Sequence, residues 1–292
     1  MENISLILFS ICIQAAIGMM IFVTLGKSLN KEGQFKPAIV TAAGLAIIGL
    51  LASLLHLGRP LAALNSLAHF GTSWLSREIW FTAIFTGLTV LAAVLILVKP
   101  TAKGAINVLS PLATVVGLVD VYVMASIYNY ASVPAWQHGS IYVEFYATAI
   151  SLGAVLFLAL SGREVVSLKK TVYLAVAAAV ALQVAAMVLY YIQLGTSDNL
   201  AAGQSLALLN SMSGVMAMKW LFILLGAGML MFPVGIGGTK VSAGQAAVQV
   251  AATTEGAVSI TVYLAAALVV VGQIIGRYLF YAVMVISTVG LS

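Results

Sequence analysis

The sequence predicts an all-α membrane protein, a bundle of eight transmembrane helices. Of its 292 residues, 62% are hydrophobic and only 7% are Asp, Glu, Lys or Arg. Its mean hydropathy is +1.12, whereas a soluble domain is only about half apolar. Apolar runs of about 20 residues recur along the sequence, each long enough to cross a hydrocarbon core of about 30 Å as a helix. Because these runs are continuously apolar and do not alternate, helices are expected rather than the strands of a barrel.

The predicted spans form a single integral membrane domain that covers residues 1–292. They lie at about 4–26, 38–57, 77–98, 107–128, 141–161, 171–194, 213–235 and 259–286. The segments between them are rich in Gly, Pro, Asn and Lys, which is typical of loops. The first span has no basic residue before it and is too long for the apolar core of a signal peptide, so we expect it to be retained.

The basic residues of the loops predict the orientation of the bundle. Nine of them lie in odd-numbered loops and three in even-numbered loops. The odd set is Lys27, Lys31, Lys36, Lys99, Lys103, Arg163, Lys169, Lys170 and Lys240, and the even set is Arg59, Arg77 and Lys219. Since cytoplasmic loops are enriched in Lys and Arg, both termini are expected on the periplasmic side. This also accounts for the net charge of +5 without a nucleic-acid partner.

The sequence has few residues that suit a metal or a haem. Its one cysteine, Cys12, excludes an iron–sulfur cluster of its own, because such a cluster needs about four thiolates. Haem in a bundle is commonly held by histidines that face each other from different helices, and only His56 falls on a predicted span. His69 and His138 fall in loops and are not expected to bind a metal. We therefore expect no metal, haem or iron–sulfur cluster in this protein.

The stretch from His56 to Glu78 is unusually polar for this sequence. It reads HLGRPLAALNSLAHFGTSWLSRE. His56 closes the second predicted span, and Glu78 falls in the first turn of the third, after Ser76 as a candidate N-cap. Both are expected at the outer rim of helices joined by one loop, where they could face a shared cavity. Alternatively, His56 could bond the last carbonyls of its helix and Glu78 could stabilise the helix dipole.

Three further ionisable residues fall within predicted spans, where such groups are costly and are candidates for function. Asp120 lies about halfway along the fourth span, and Arg277 of the last span is its predicted partner. Arg277 follows Gly272 and Gly276, a GxxxG pattern that lets a neighbouring helix approach closely. A structural clamp is therefore an alternative to a functional role. Glu144 begins the fifth span and is expected at the membrane interface.

Three stretches resemble the membrane anchor subunit of the dimethyl sulfoxide reductase family of molybdoenzyme complexes. They are the polar stretch above, YNYASVPAW from Tyr128 to Trp136, and GRYLFY from Gly276 to Tyr281. With the length, the eight spans and the outward termini, the resemblance extends through nearly the whole sequence. The HLGxP part is less specific, because it also resembles the anchors of polysulfide-reductase-type complexes.

The resemblance implies a quinol-oxidising subunit in a bacterial cytoplasmic (inner) membrane. The family favours menaquinol from the membrane quinone pool as substrate, in anaerobic respiration. It implies a ferredoxin-like partner with four cubane iron–sulfur clusters, which takes the electrons, and beyond it a molybdopterin catalytic subunit. The terminal reduction would take place in that partner, not in this protein. The family's functional histidine falls on His56 and its functional glutamate on Glu78.

Quinol oxidation releases two electrons and two protons, so it needs a base within hydrogen-bond reach of the hydroxyl group. An imidazole exchanges protons near neutral pH, so His56 is the predicted base. Glu78 is predicted to pass the proton to the outer aqueous side. The predicted quinol pocket also includes Arg59, Asn65, Arg77, Tyr128 and Arg277.

Three alternatives stay open at this point. The protein could anchor a related polysulfide, tetrathionate or selenate reductase, or it could be a plain anchor that docks partners without any chemistry. It could also be a secondary transporter, which would need a polar site near the membrane midplane, often within internal repeats. The densest polar cluster of the sequence falls instead at one membrane surface, and no repeat is evident.

Overall fold

The computed structural model of this protein describes residues 2–55, 67–161, 164, 166–231 and 260–286. Within these ranges the protein is helical, without a β-strand. The helices are α1 (Glu2–Leu29), α2 (Lys36–Leu55), α3 (Trp74–Val98), α4 (Lys103–Asn129), α5 (Ser140–Ser161), α6 (Lys169–Thr196), α7 (Leu200–Ser211), α8 (Ser213–Met231) and α9 (Ile260–Ala282). Eight of these helices, all but α7, are long and apolar enough to cross a membrane. The predicted all-α membrane fold is therefore confirmed for the described part of the protein.

The helix α7 was not predicted, because the segment from Gly195 to Asn210 reads as a loop. Its residues, LAAGQSLALLNS, are mostly strong helix formers. Asn199 caps its start, since the side-chain oxygen accepts a hydrogen bond from the backbone N–H of Ala201 at 2.9 Å. At 12 residues α7 is too short to span a bilayer, so the loop between α6 and α8 carries a helix of its own.

The first helix lies at the centre of the bundle. α1 packs against α2, α4, α5 and α9, and Ile13, Ile17 and Met20 are fully buried. It crosses α5 at Gly18 and Gly153, where a Cβ atom on either glycine would overlap the backbone of the other helix. Lipid tails are as apolar as leucine, so helices in a membrane associate through close packing of this kind and through interhelical hydrogen bonds.

The loops that follow α1, α3 and α5 meet at one end of the bundle, which we call the basic end. Lys103 forms an ion pair with Glu32 there, and this hydrogen bond holds the pKa of the Glu32 carboxyl below its usual value. Glu164 accepts hydrogen bonds from the backbone N–H groups of Gln34 and Phe35, at 3.0 and 2.9 Å. These contacts join the odd-numbered loops, as the alternation of spans requires.

The loops that follow α2, α4 and α6 meet at the opposite end, which we call the site end. Trp74 stacks on Tyr130 with ring centroids 5.6 Å apart. Trp136 donates from Nε1 to the carbonyl of Phe280 at 3.0 Å, and the hydroxyl of Ser205 donates to the carbonyl of Val283 at 2.8 Å. The end of α9 is therefore tied to the loops around α5 and α7.

Candidate functional site

Glu78 is buried on the second turn of α3. The helix begins at Trp74, and the hydroxyl of Ser73 caps it by accepting from the backbone N–H of Ser76 at 3.4 Å. The prediction that Ser76 is the cap is therefore wrong, because the helix starts one turn earlier than expected. Since the helix dipole acts mainly within the first turn, it is a weak explanation for Glu78, which is only 8% exposed.

A second carboxyl group, Asp120 of α4, faces the same region. Thr82 donates from Oγ1 to Asp120, at 2.9 Å to Oδ2 and 3.2 Å to Oδ1. Thr82 follows Glu78 by one helical turn on the same face of α3, so its bond to Asp120 places Asp120 on the side of α3 that carries Glu78. At 1.5 Å per residue, Thr82 and Asp120 lie about 12 and 14 Å from the site end of their helices. Two carboxyl groups from different helices thus share one buried polar region.

Arg277 does not pair with Asp120, so that prediction is wrong. The guanidinium donates from Nη2 to Gln14 Oε1 at 2.6 Å, and it lies over the Phe145 ring, 3.9 Å from the centroid. A desolvated contact of this kind contributes about 2 kcal/mol. Nη1 of Arg277 and Nε2 of Gln14 are buried and have no hydrogen-bond partner among the described residues.

Two tyrosines join α4 to α9 beside these groups. The hydroxyls of Tyr128 and Tyr281 are 2.7 Å apart, and the Tyr128 ring meets the edges of Trp136 and Phe280 with centroid distances of 5.1 Å. The stretches Tyr128–Trp136 and Gly276–Tyr281, which carry part of the resemblance, therefore pack against each other. Both tyrosines also pack on rings that Arg277 contacts: between ring centroids, Tyr128 lies 5.6 Å from Phe145 and Tyr281 lies 5.2 Å from Phe280. The guanidinium lies over both phenylalanine rings.

The structure thus brings three of the predicted site residues into one region, namely Glu78, Tyr128 and Arg277. Arg77 instead binds the loop before α3: it donates from Nε to the Phe70 carbonyl at 3.0 Å and from Nη2 to the Gly71 carbonyl at 2.8 Å. Its place in the pocket stays a prediction. His56, Arg59 and Asn65 lie outside the described residues, and their roles stay predictions as well.

An ion pair between α5 and α8 was missed at the sequence level. Lys219 Nζ lies 2.8 Å from Glu144 Oε1, with side chains 5% and 23% exposed. Lys219 was counted among the loop residues, and this is wrong, because it lies on α8 within the membrane-spanning part. The sequence did contain evidence for this ion pair, because two opposite charges fall near the same end of two predicted spans. Buried charges in membranes are usually paired.

The predicted close approach at the GxxxG pattern is confirmed, and its partner is α8. A Cβ atom at Gly272 would lie 2.6 Å from Cγ1 of Ile223, and one at Gly276 would lie 2.9 Å from Cε of Lys219. The two glycines let α9 approach α8 closely enough for the Lys219 side chain to pass along it. The packing of α9 on α8 therefore sets the position of the ion pair.

A further polar network lies deep between α5, α6 and α9. The amides of Gln183 and Gln273 bond to each other, from Nε2 to Oε1 at 3.2 Å and in the reverse direction at 3.0 Å. Thr148 donates to Gln273 at 3.1 Å, and Ser151 accepts from Gln273 at 2.9 Å. Because these groups bond to one another, we interpret the network as interhelical hydrogen bonding that stabilises the bundle.

The Thr82–Asp120 bond gives a first testable prediction. Replacing Thr82 with valine should lower the free energy of unfolding by about 1–3 kcal/mol, because the buried carboxyl loses its donor. Thr86 is a matched control on the same helix, since its Oγ1 is buried without a partner in the described part of the protein. Thr86→Val should therefore be neutral or stabilising. Equal effects of the two substitutions, measured by unfolding in detergent, would contradict the assignment.

Comparison with known proteins identifies a family of membrane anchor subunits. The model of the family described as "DMSO reductase anchor subunit (DmsC)" matches residues 1–283. The C subunit of the anaerobic dimethyl sulfoxide reductase of Haemophilus influenzae is 31% identical over 163 residues, which cover 54% of this protein and 58% of the relative.

Two proteins of Escherichia coli are also similar. YnfH, a subunit of an anaerobic dimethyl sulfoxide reductase, is 34% identical over 158 residues, 52% of this protein and 55% of the relative. The C subunit of the anaerobic dimethyl sulfoxide reductase of the same organism is 33% identical over 110 residues, 37% of this protein and 38% of the relative. The matched region thus spans little more than half the length of the first two relatives, and less of the third.

Proposed function

This protein belongs to the family of DMSO reductase anchor subunits, and from that premise we propose that it oxidises a quinol at the site end of the bundle. The observation that carries the proposal is the buried pair of carboxyl groups, Glu78 and Asp120, beside the hydroxyls of Tyr128 and Tyr281. Ionisable groups at membrane depth are costly, and in groups they mark proton pathways. His56 precedes α3 in the sequence and closes the second predicted span, so we expect it at the same end of the bundle.

The chemistry of the reaction assigns each group a step. Oxidation of one quinol to the quinone releases two protons and two electrons. His56 accepts the protons of the two quinol hydroxyls one at a time, since a neutral imidazole is a base near neutral pH. Glu78 takes the proton next and releases it at the site end, about 6 Å along α3 from its first residue. Thr82 and Asp120 provide a polar environment for Glu78 on the side that faces the interior of the bilayer.

The electrons leave through a partner protein, because this subunit is proposed to hold no redox centre. The partner is an electron-transfer subunit with four cubane iron–sulfur clusters, and behind it stands a molybdopterin catalytic subunit. Menaquinol is the substrate that the family favours. The anchor holds both partners at the inner membrane, where its eight apolar helices span the bilayer.

The orientation follows from the charges at the two ends. Nine basic residues fall in or beside the odd-numbered loops of the sequence, and the described odd-numbered loops lie at the basic end. With Lys219 placed inside α8, only Arg59 and Arg77 are left of the basic residues assigned to the opposite loops. The positive-inside rule then puts the basic end in the cytoplasm, so the site end and both termini face the periplasm.

A secondary transporter is less well supported than quinol oxidation. Its substrate site would be expected near the midplane, on interrupted helices. Two polar residues near the middle of their helices, Gln183 and Gln273, instead bond to each other and to neighbouring hydroxyls. A plain anchor without chemistry differs from the proposal in one measurable respect: it would not quench a fluorescent quinol analogue on binding.

Substitution of Glu78 with glutamine tests the proposal. Glutamine keeps the size of the side chain but cannot accept the proton, so quinol-driven turnover by the whole complex should fall on the order of 100-fold. Binding of a quinol analogue should change less than about threefold, because the lost interaction serves the transition state. Glu32→Gln at the basic end is the control and should retain wild-type turnover. Full turnover in Glu78→Gln would overturn the proposal.

A further inference from the structure

A cavity of about 80 Å³ lies between α5, α6, α8 and α9 at the site end, close to the residues of α7. None of Glu78, Asp120, Tyr128 or Arg277 lines it. Five of its lining residues carry aromatic or sulfur-containing side chains, namely Trp136, Tyr190, Phe280, Met187 and Met216, and Ile141, Leu209 and Leu279 add aliphatic surface. It is therefore separate from the site described above, and the stacked rings of Trp136 and Phe280 stand between it and Tyr128.

The charged part of this cavity is the ion pair of Lys219 and Glu144, and the other polar lining residues, His138 and Ser140, bond to each other at 2.8 Å. Both residues of the ion pair line the cavity, and Lys219 is only 4% exposed. An ammonium group has three N–H donors, and the described contacts use one of them, toward Glu144 at 2.8 Å. Since the pair is neutral as a whole, an anionic head group would bring an uncompensated charge into a dry site, which is costly. An uncharged oxygen acceptor carries no such cost.

The apolar walls favour a ligand whose remaining part is apolar. Trp136 and Phe280 are stacked, with centroids 5.2 Å apart and planes inclined by 14°, so together they form a flat aromatic wall. Methionine side chains are flexible and polarisable, and they adapt to ligands of irregular shape. An engineered apolar cavity of about 150 Å³ takes up benzene, so this smaller one suits the polar end of a ligand rather than a whole molecule.

We propose that this cavity binds the polar end of an uncharged amphiphile, whose carbonyl or hydroxyl oxygen accepts a hydrogen bond from Lys219. The shared chemistry is an uncharged oxygen next to an apolar body. In a membrane it is supplied either by a quinone of the pool or by a neutral lipid such as a diacylglycerol. The site is additional to the quinol site at Glu78 and does not depend on it.

The test uses the purified complex in nanodiscs of zwitterionic lipid and two photoactivatable probes, a short-tailed naphthoquinone and a diacylglycerol. Crosslinks are mapped by mass spectrometry. We expect saturable labelling of cavity residues such as Tyr190 or Met216 by one of the probes, and the probe that labels identifies the source. Labelling by neither probe would overturn the proposal.

Two substitutions on α6 control for position. Ala186 is buried and lines the cavity, whereas its neighbour Ala185 is exposed on the outer face of the same helix. Ala186→Phe should fill the cavity and reduce labelling at least tenfold, and Ala185→Phe should leave it unchanged. Equal labelling of both folded variants would overturn the proposal.

A second variant keeps the test decisive if Ala186→Phe fails to fold. The double substitution Glu144→Met with Lys219→Met removes the charges together and keeps the volume of the side chains. For the probe that labels the wild type, we expect the concentration that gives half-maximal labelling to rise at least tenfold. Quinol-driven turnover should be retained. Unchanged half-saturation would show that Lys219 does not bind the ligand and would contradict the proposal.

Discussion

Replacing Lys219 with methionine should lower the free energy of unfolding by about 3–5 kcal/mol, because it leaves the Glu144 carboxylate buried without its partner. The two side chains are 5% and 23% exposed and only 2.8 Å apart, so the carboxylate left behind would be largely shielded from water. The measurement is the unfolding transition of the purified protein in detergent, together with its abundance in membranes.

The double variant separates the effect of losing the ion pair from the effect of changing the side-chain packing. Removing Glu144 as well, as Glu144→Met, should recover most of the lost stability, because a well-packed apolar pair often equals a buried ion pair. Lys103→Met is the matched control, since its ion pair with Glu32 is exposed at the basic end and exposed pairs contribute little. If the double variant were no more stable than Lys219→Met, the loss would come from packing.

Replacing His56 with leucine should reduce quinol-driven turnover by at least about 100-fold, while the complex still assembles. The expected loss is that of a general base, which contributes about 10²–10⁴-fold to a proton transfer. The assay compares quinol-dependent reduction of the complex's terminal acceptor in membranes with reduction driven by a small reduced dye. Because the dye delivers electrons directly to the partner subunits, its activity should be retained in the variant.

His69→Leu is the control for this experiment. His69 belongs to the same inter-helix segment, in the short 3-10 helix Leu67–His69, and its side chain is exposed. Turnover in that variant should stay within about twofold of the wild type. Normal quinol turnover in His56→Leu would show that another group accepts the proton. Loss of the dye-driven activity as well would show that assembly, and not proton transfer, had failed.

The spans could be predicted from the sequence because hydrocarbon allows so few structures. A run of about 20 apolar residues crosses a bilayer only as a helix, so composition alone located the eight spans. The error at α3 has a local cause: Ser73 and Ser76 are both good caps, and the apolar count did not separate Trp74 and Leu75 from the loop. The error at α7 came from interpreting a polar, Gly-containing segment as a loop.

Part of the candidate site could be predicted from the sequence. Glu78, Tyr128 and Arg277 were all predicted, because they lie in the stretches that carry the family resemblance. The pairing of Arg277 with Asp120 was not correct, since charge alone suggested it. Arg277 reaches Gln14 and Phe145 instead, and a glutamine or phenylalanine in an apolar span gives no sign of its partner.

The sequence by itself determined that this is an all-helical membrane protein of the anchor-subunit type, with a polar stretch at one end. Only the tertiary structure decided which helices meet. It brought Thr82 within hydrogen-bond distance of Asp120 and paired Lys219 with Glu144. The physical reason is that these spans are apolar on every side. In lipid no hydrophobic stripe selects the face that packs inward, so contacts such as those at Gly272 and Gly276 set which residues become neighbours.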